Sequence, residues 1–456
     1  MIAFNYPPLA GMGMIRSLKF AKYLPSLGWQ PVVLTIAASK IKPTPQSQYW
    51  FCDEREGHLP QVDIVRTNYV SLKPSSRFLS WMNYFHRTSH PHVPEGIAAP
   101  LKSRHIGLDI RDRVMGHLRR FWNTWIEFPD DAIGWYPYAV RGALAYIRHN
   151  PIDAIFSTAF PITSHAIAAA VSKKTGIPWV ADFRDLWSQA DFREINGFRR
   201  FIDRRWEVCT VKSAGALVTV SGPHMEELLR IHTSFREKNF VIYNGYDDDD
   251  YPEAEMSPNR PFTIVYTGRM YDIDFSIKER TPAILFAGMA ELIRDQQIPH
   301  DRLKCLIYGE HPKRLNEMVT FYGLDGIVTC LGGVPFREAL RAQNEADILL
   351  HLNWNDKDQK GILSGKLFEY LGAGKNILSI PFYNQGVADI LHSTKAGILL
   401  TDASTCKRQL WDWYREFETR GFLRYNGIPE TLDQYSRKRA TEQLAAILNR
   451  ISGPRI

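Results

Sequence analysis

The sequence predicts an α/β protein made of two tandem domains, each a doubly wound parallel sheet with helices on both faces. Short apolar runs alternate with amphipathic stretches along most of the 456 residues, which is the pattern of βαβ units. The alternation stops at a polar segment near residue 250 and restarts after it. At roughly 150 residues per domain, the length also suggests two or three domains.

Seven strand candidates lie in the first half of the chain. They are residues 1–6, 31–37, 62–67, 152–157, 178–183, 216–220 and 240–243. The first helix is predicted over residues 14–24, because Ile15, Leu18 and Ala21 share one face and Pro25 follows. Further helices are expected at residues 162–175 and 223–231.

The polar segment in the middle of the chain has the composition of a linker. Four consecutive aspartates, Asp247–Asp250, are followed by several turn-forming residues. We place the linker at residues 251–260, between an N-terminal domain of residues 1–250 and a C-terminal domain of residues 261–430. The aspartates are interpreted as solvated, and a site for a hard cation is the alternative.

The alternation after the linker predicts the second domain. Its strand candidates are residues 262–267, 303–308, 327–331, 348–352 and 376–380. Its helix candidates are residues 281–294, 335–344 and 365–371. Apolar periodicity over residues 431–451 predicts a C-terminal helix, and we assign residues 431–456 to it as a separate element.

Residues 72–131 do not follow the alternation and are treated as an insertion in the first domain. They carry many lysines and arginines, among them Arg111, Arg113 and Arg119, with aromatic residues such as Trp81 and Trp122 between them. This composition favours an interfacial segment at an anionic membrane surface. A helical insertion with a solvated charged face is the alternative.

The overall composition excludes several classes of protein. The net charge of +7 is mild for this length, and no nucleic-acid module is recognised, so nucleic-acid binding is not expected. The five cysteines show no metal-ligand spacing, which predicts no metal site and a reducing compartment. No apolar run reaches about 18 residues, so no transmembrane helix is expected. The N-terminus lacks the basic start of a signal peptide.

The first candidate loop follows the strand at residues 1–6 and contains Gly11 and Gly13. Glycines between a strand and a helix let backbone N–H groups approach an anion. A dinucleotide fingerprint is disfavoured, because Arg16 stands where its third glycine belongs and no clear acidic ribose partner follows the next strand. A turn that needs glycine for its backbone angles is the alternative.

The second candidate loop follows the strand at residues 178–183. Asp182, Arg184 and Asp185 place three charges at the end of an apolar run. Charge in that position is costly unless it is paired or used. The functional interpretation is a polar ligand site, and the alternative is an ion pair between Arg184 and an aspartate that fixes the loop.

Two loops of the second domain have the chemistry of a phosphate site. Gly268 and Arg269 follow the strand at residues 262–267, and arginine suits a bidentate phosphate contact. Ser364 and Gly365 open a short helix, whose N-terminus can hold a diphosphate. The Gly–Lys–Ser/Thr ending of a Walker loop is absent.

The short helix itself carries two more candidate residues. Lys366 supplies positive charge at its start, and Glu369 lies about one turn further on, within reach of ribose hydroxyls. The Asp272-Ile273-Asp274 sequence resembles a metal-binding Asp–x–Asp pair, but two carboxylates at this spacing are common by chance. We therefore do not expect a metal there.

Taken together, these residues resemble the family 4 (group 1) glycosyltransferases of the GT-B fold, most closely the bacterial branch that builds lipopolysaccharide, capsule or exopolysaccharide. The resemblance covers nearly the whole chain. It is carried by the Pro-Pro…Gly…Arg opening and by residues 182–187, 218–221, 244–247, 266–269 and 365–375. The resemblance implies two Rossmann-like domains that face each other across a cleft, with the C-terminal helix packing back towards the first domain.

The resemblance also implies roles for individual residues. Gly11 and Gly13 are expected beside the transferred sugar, Arg184 and Asp185 on the acceptor side, and Glu369 at the nucleotide ribose. The remaining donor-site residues are expected to be Gly268, Arg269, Lys278, Ser364, Gly365, Lys366 and Leu367. Among all of these, the candidate catalytic residues are Arg184, Asp185, Arg269 and Lys366.

The implied activity is transfer of a hexosyl group from a nucleoside-diphosphate sugar to a glycan or lipid-linked acceptor. The resemblance further implies a retaining, metal-independent reaction without a cofactor. The absent transmembrane helix and the basic, aromatic insertion together predict a peripheral protein at the inner face of the cytoplasmic membrane. One position departs from the family pattern: the first of two glutamates, eight residues before Glu369, is Gly361, and Asp356 or Asp358 is the substitute to consider. A GT-B nucleotide-sugar epimerase and a catalytically weak scaffold in a polysaccharide-assembly complex remain alternatives.

Overall fold

The structure, a computed structural model, describes most of the chain. The described residues are 1–9, 12–40, 61–72, 125–190, 195–253, 259–270, 281–311, 313–353, 363–381 and 383–453. Most of the predicted insertion, residues 73–124, lies outside them. No helix among the described residues combines the length and the apolar character needed to cross a membrane.

The N-terminal half contains six strands and five α-helices within its described residues. The strands are β1 Val32–Ile36, β2 Asp63–Thr67, β3 Ile155–Ala159, β4 Trp179–Phe183, β5 Ala216–Thr219 and β6 Asn239–Val241. The helices are α1 Met12–Tyr23, α2 Tyr136–Ile147, α3 Thr163–Thr175, α4 Gly197–Val211 and α5 Gly222–Ile231.

The N-terminal sheet is parallel throughout, in the order β2-β1-Ile2-β3-β4-β5-β6. Ile2 takes the central position: its N–H donates to the Phe156 carbonyl at 2.7 Å, and the Leu34 N–H donates to the Met1 carbonyl at 2.8 Å. The strand predicted over residues 1–6 is therefore reduced to a bridge at Ile2. Because the chain order reverses on either side of Ile2, the loops there diverge and open a crevice.

The C-terminal half repeats this arrangement with six more strands. They are β7 Phe262–Thr267, β8 Leu303–Tyr308, β9 Val328–Gly332, β10 Ile348–Leu352, β11 Asn376–Ile380 and β12 Gly397–Leu399. The helices are α6 Ala283–Arg294, α7 Lys313–Phe321, α8 Phe336–Glu345, α9 Gly365–Gly372, α10 Gln385–Thr394, α11 Ala403–Arg420, α12 Pro429–Asp433 and α13 Arg437–Ser452. The parallel sheet has the order β12-β11-β10-β7-β8-β9, so its switch point lies between β7 and β10.

Burial explains why the apolar runs predicted these strands well. Every residue of β4 and of β10 is buried, as expected for parallel strands with helices on both faces. The prediction of two doubly wound α/β units is confirmed. The helices α2, α4, α7, α10 and α11 were not predicted. In α4 and α11 the charged residues obscure the apolar periodicity, although Asp402 caps α11 and Gly421 ends it.

The C-terminal helix packs against the first half of the chain, as predicted. The Trp29 indole N–H donates to Asn449 Oδ1 at 3.1 Å, and Leu444 and Ile447 share a core cluster with Phe20. The helix is not continuous over residues 431–451, however. It is divided into α12 and α13, because the Ser436 hydroxyl accepts the Arg439 N–H and starts a new helix.

The interpretation of the aspartate run as solvated is wrong for Asp247. This carboxylate is buried and accepts hydrogen bonds from Lys19 at 2.6 Å, Lys22 at 2.8 Å and Tyr23 at 2.6 Å. Burial alone would raise the pKa of Asp247, but these partners outweigh it and lower the pKa to about 2. These hydrogen bonds therefore connect α1 to the segment that leads into the second half of the chain. The linker boundaries, residues 251–260, stay a prediction.

Candidate active site

The C-terminal switch point brings Gly268 and Lys366 into contact. Gly268 follows β7 with a φ of 127°, and a Cβ built on it would lie 1.8 Å from the Lys366 Cε atom. Only glycine therefore lets the lysine side chain cross this turn. The Lys366 Nζ atom lies 3.3 Å from the Tyr266 hydroxyl and 5.1 Å from the centre of that ring. Both of these contacts are to Tyr266, and neither involves a carboxylate.

The loop before α9 is held by a chain of hydrogen bonds from neighbouring strands. The Ser364 hydroxyl lies 2.9 Å from His351 Nε2, and His351 Nδ1 lies 2.9 Å from the Ser379 hydroxyl. The Asn353 amide donates to the same Ser379 oxygen at 2.7 Å. The Ser364 side chain accepts no hydrogen bond from the first N–H groups of α9, so the helix begins without a side-chain cap at this edge of the sheet. His351 and Asn353 were not singled out from the sequence.

Two of the predicted donor-site residues lie directly after this loop. Gly365 is the first residue of α9 and faces the switch point with the backbone of the helix start. Leu367 is different, because its side chain is fully buried in the core and its N–H donates to the Ser364 carbonyl. The Leu367 side chain is thus part of the packing beneath the loop.

Glu369 lies one turn into α9, where this helix meets Tyr251, Gln343 of α8 and Arg437 of α13. Burial raises its pKa to about 7, while Lys366, a hydrogen bond with Gln343 and the charge of Arg437 act in the opposite direction. The Tyr251 hydroxyl donates to the Glu369 backbone carbonyl. Burial thus favours the neutral form of the Glu369 carboxyl group more than it is favoured at an exposed glutamate.

Arg437 is a third residue, after His351 and Asn353, that the sequence did not point to. It is the first residue of α13 and is buried, and burial lowers its pKa to about 10, with Arg16 acting in the same direction. Among the described residues, its Nε and Nη1 atoms have no hydrogen-bond partner. The charges of Glu369 and Asp250 act on it favourably. The start of the C-terminal helix thus adds positive charge beside Glu369.

Arg269 lies at the edge of the same switch point and is 53% exposed. Its Nε atom pairs with Glu310 at 3.0 Å, and its backbone carbonyl accepts the Tyr266 hydroxyl at 3.2 Å. An exposed pair of this kind is weak and exchanges readily for another anion. Arg269 and Lys366 thus both contact Tyr266 at the end of β7, Arg269 through its backbone carbonyl and Lys366 through its side chain.

The crevice of the first half contains the other predicted cluster. Arg184 pairs with Asp185 at 3.3 Å, which matches the ion-pair interpretation of this loop. The Arg184 guanidinium also covers Gly13, where a Cβ would lie 2.2 Å from its Nη1 atom. The Asn5 amide, another neighbour of Gly13, donates to the Phe160 carbonyl at 3.1 Å. Gly13, at the start of α1, and Arg184, directly after β4, are thus brought together from distant parts of the sequence.

A buried ion pair beneath this crevice explains the arginine at the third-glycine position. Arg16 Nη2 and Nε donate to the two Asp182 oxygens at 2.8 and 3.0 Å, and Nη1 donates to the Tyr243 carbonyl at 3.1 Å. The Thr158 hydroxyl also donates to Asp182, at 2.8 Å. Asp182 is therefore structural, which separates it from the partly exposed Arg184 and Asp185.

Several predicted residues lie outside the part of the chain that the structure describes. They are Gly11, Lys278, Gly361, Asp356, Asp358, Asp272 and Asp274. Within the described residues, no group of three or more His, Cys, Asp or Glu side chains is arranged to hold a metal ion.

Solved structures share this two-domain architecture. A glycosyltransferase from Rickettsia africae ESF-5 has a TM-score of 0.55 at 13% identity, covering 96% of this chain and 94% of that one. Sucrose-phosphate synthase from Thermosynechococcus elongatus has a TM-score of 0.54 at 15% identity, covering 97% and 94%. Anabaena HepE, crystallised with UDP, has a TM-score of 0.55 at 13% identity, covering 98% of each chain. The predicted GT-B fold is confirmed.

The sequence itself also matches a family. Residues 14–245, just over half of the chain, match the family model of the glycosyl transferase 4-like domain. The protein therefore belongs to this family of glycosyltransferases. A search of curated proteins found no match.

Proposed function

We propose that the protein transfers a hexosyl group from a nucleoside-diphosphate sugar to a glycan or lipid-linked acceptor in cell-surface polysaccharide biosynthesis. The observation that carries this proposal is the placement of Lys366 against Gly268 beside the start of α9, with Glu369 one turn further on. This arrangement offers positive charge to a diphosphate and a carboxylate to a ribose. The structural similarity to HepE, which binds UDP, supports the same donor class.

In the proposed reaction, the bond between the sugar C1 atom and the donor phosphate oxygen breaks while a bond from C1 to the acceptor oxygen forms. The acceptor oxygen approaches C1 from the face that the diphosphate leaves, and its proton passes to an oxygen of the leaving diphosphate. No protein nucleophile is then needed, and the configuration at C1 is retained. Lys366, Arg269 and the N-terminal end of α9 stabilise the charge that the diphosphate gains. Because these groups take the role of a divalent cation, we propose a metal-independent reaction without a cofactor.

A thermal-shift screen tests the donor class directly. The purified protein is heated with UDP, GDP, ADP, CMP and the corresponding nucleotide sugars, each with and without EDTA. A ligand that binds only the folded state raises the melting temperature by mass action. One nucleotide with an EDTA-independent shift is the expected result. No shift with any ligand would contradict the proposal and favour the scaffold alternative, whereas a free epimer formed without acceptor would favour the epimerase.

Replacing Glu369 with alanine should weaken nucleotide binding about 10-fold or more, because a carboxylate that accepts ribose hydroxyls is lost. The fold should survive, since the Glu369 side chain is partly exposed and alanine keeps the backbone carbonyl that accepts the Tyr251 hydroxyl. Isothermal titration with the nucleotide found in the screen measures the effect. Glu317→Ala on α7, an exposed glutamate of the same half, is the matched control. Equal affinity in wild type and Glu369→Ala would refute the ribose assignment.

Nucleotide affinity should also depend on pH through Glu369. Burial raises the pKa of Glu369 to about 7, so its carboxylate is progressively protonated as the pH falls through that value. Because the protonated form is a poorer acceptor, affinity should fall on the acid side of about pH 7. Titrations across this range should show the step in wild type, and Glu369→Gln should remove it. A step that persists in Glu369→Gln would belong to the nucleotide or to another residue.

We further propose that the protein works at the inner face of the cytoplasmic membrane as a peripheral protein. Its support is the basic and aromatic composition of residues 72–131. Cosedimentation with vesicles that contain phosphatidylglycerol, at low salt, is the test. Absence of binding under that condition would end this part of the proposal without affecting the nucleotide site.

A further inference from the structure

Helix α4 is packed with its two acidic residues and Arg199 inward and its phenylalanines outward. Asp203 and Glu207 are fully buried, whereas Phe198 is 64% exposed and Phe201 is 56% exposed. Val208 continues the exposed apolar side. A surface helix of a globular protein normally shows the opposite arrangement. The outward face of α4 therefore requires an explanation other than packing in the core.

The inward charges fix this orientation of the helix. Asp203 pairs with the buried Arg199 at 3.2 Å. Glu207 accepts the Ser188 N–H at 3.0 Å and contacts His232 Nε2 at 3.0 Å. Turning the helix to bury its phenylalanines would remove these hydrogen bonds and leave buried charge behind, which is costly. The exposed apolar face is thus a stable property of the folded chain.

The same face is positively charged. Arg204 and Arg205 are exposed on α4, and the exposed Lys212 directly follows the helix. The Arg205 guanidinium lies 5.8 Å from the centre of the Phe201 ring. Both acidic residues of α4 are buried, so its outward face carries cations and no carboxylate. A partner for this face must accept both apolar side chains and positive charge.

The exposed surface extends beyond the helix. Trp125 and Ile126 are also exposed, and the Trp125 ring centre lies 6.0 Å from that of Phe198. These two residues belong to the basic and aromatic stretch of residues 72–131, and the structure describes that stretch again from Trp125 onward. We name the combined surface the α4 face; it consists of Trp125, Ile126, Phe198, Phe201, Arg204, Arg205, Val208 and Lys212.

We propose that the α4 face docks on an anionic lipid bilayer. The phenylalanines and Trp125 enter the headgroup boundary, and the cations beside them contact lipid phosphates, which is the arrangement of interfacial amphipathic helices. Charge complementarity selects this occupant, because the face lacks the carboxylates that pair with cations in a mixed protein surface. The inference rests on the proposed peripheral location and names the surface that produces it.

Vesicle binding by matched double variants tests the inference. Phe198→Ser/Phe201→Ser should lower partitioning to phosphatidylglycerol vesicles by roughly 10-fold for each phenylalanine. Arg204→Gln/Arg205→Gln should lower it by about 5-fold for each charge and reduce its sensitivity to salt. Phe321→Ser/Phe422→Ser, which removes two exposed phenylalanines of the second half, is the control and should bind like wild type.

A second measurement does not depend on these variants folding. Cys209 is an exposed cysteine of α4, so an environment-sensitive dye attached there should shift to the blue when anionic vesicles are added. The Cys209→Ser protein, labelled in the same way, supplies the background. The melting temperature and the nucleotide-induced shift of each variant show whether fold and donor site are intact.

The outcomes separate the inference from the broader proposals. Wild type and Phe198→Ser/Phe201→Ser binding equally well would overturn the α4 face while leaving membrane association in place. A wild type that binds no anionic vesicle would overturn both. A dimer that the double variant abolishes, with unchanged vesicle binding, would assign the face to a second copy of the chain and also overturn the inference. None of these results depends on nucleotide binding.

Discussion

Replacing Lys366 with methionine should lower kcat/KM for sugar transfer about 100-fold, the order of loss seen when one charge-stabilising donor is removed from an active site. Lys366 is held against Gly268 at the switch point between β7 and β10, and its Nζ atom contacts the Tyr266 hydroxyl at 3.3 Å. Methionine keeps most of the side-chain volume, so the effect should come from the charge. Release of nucleoside diphosphate in the presence of acceptor measures it.

The control for this prediction is Lys304→Met, which removes an exposed lysine from β8 of the same sheet. That variant should retain wild-type activity. Arginine at position 366 should rescue poorly, because the path across Gly268 accommodates a linear chain and a planar guanidinium is bulkier. Activity of Lys366→Met within about 3-fold of wild type would remove Lys366 from the proposed mechanism and leave Arg269 as the remaining cation.

Replacing Asp182 with alanine should destabilise the fold by about 3–5 kcal/mol, because it leaves Arg16 buried without its carboxylate. The pair is almost fully buried and bidentate, with oxygen–nitrogen distances of 2.8 and 3.0 Å. It also joins α1 to β4 beneath the crevice of the first half. The midpoint of urea unfolding, followed by circular dichroism, reports the loss.

A double replacement distinguishes loss of the pair from loss of packing. Arg16→Met/Asp182→Leu removes both charges and should recover most of the stability, since an apolar pair of similar volume avoids the desolvation cost. Asp153→Ala, an exposed aspartate of the same half, should change stability by less than about 0.5 kcal/mol. If Asp182→Ala proves as stable as Asp153→Ala, then the buried pair is not what fixes the crevice.

The strands of the fold were largely predictable from the sequence, because burial on both faces leaves a local signal. The five residues of β10 are apolar except His351, and all are buried in the sheet. Residues 1–6 were overpredicted, because the hydrogen bonds to the two neighbouring strands involve only Met1, Ile2 and Ala3 of this segment, with both bridges at Ile2. Helix α4 was missed because its inward face is charged, so the sequence lacks the apolar periodicity of a helix that packs on a core.

The candidate site was predictable only in part. A glycine after β7 and a Gly/Ser loop before α9 are local signals, and both lie at the predicted strand ends. Their contact is not local, since Gly268 and Lys366 meet only when β7 and β10 pair. The aspartate run shows the limit most clearly: four acidic residues have the composition of a solvated linker, yet Asp247 is buried by lysines of α1.

The sequence alone determined the fold class, the two-part order of the chain, the family resemblance and the strand-end loops, because each is encoded in residues close to one another. The tertiary structure decided which charged residues are buried in structural ion pairs and which remain accessible to a ligand. Arg16 and Asp182 form a buried pair across 166 residues, while Arg184, only two residues beyond Asp182, remains at the crevice. It also turned the phenylalanines of α4 outward. Such outcomes depend on burial and on partners distant in the chain, and local periodicity contains neither.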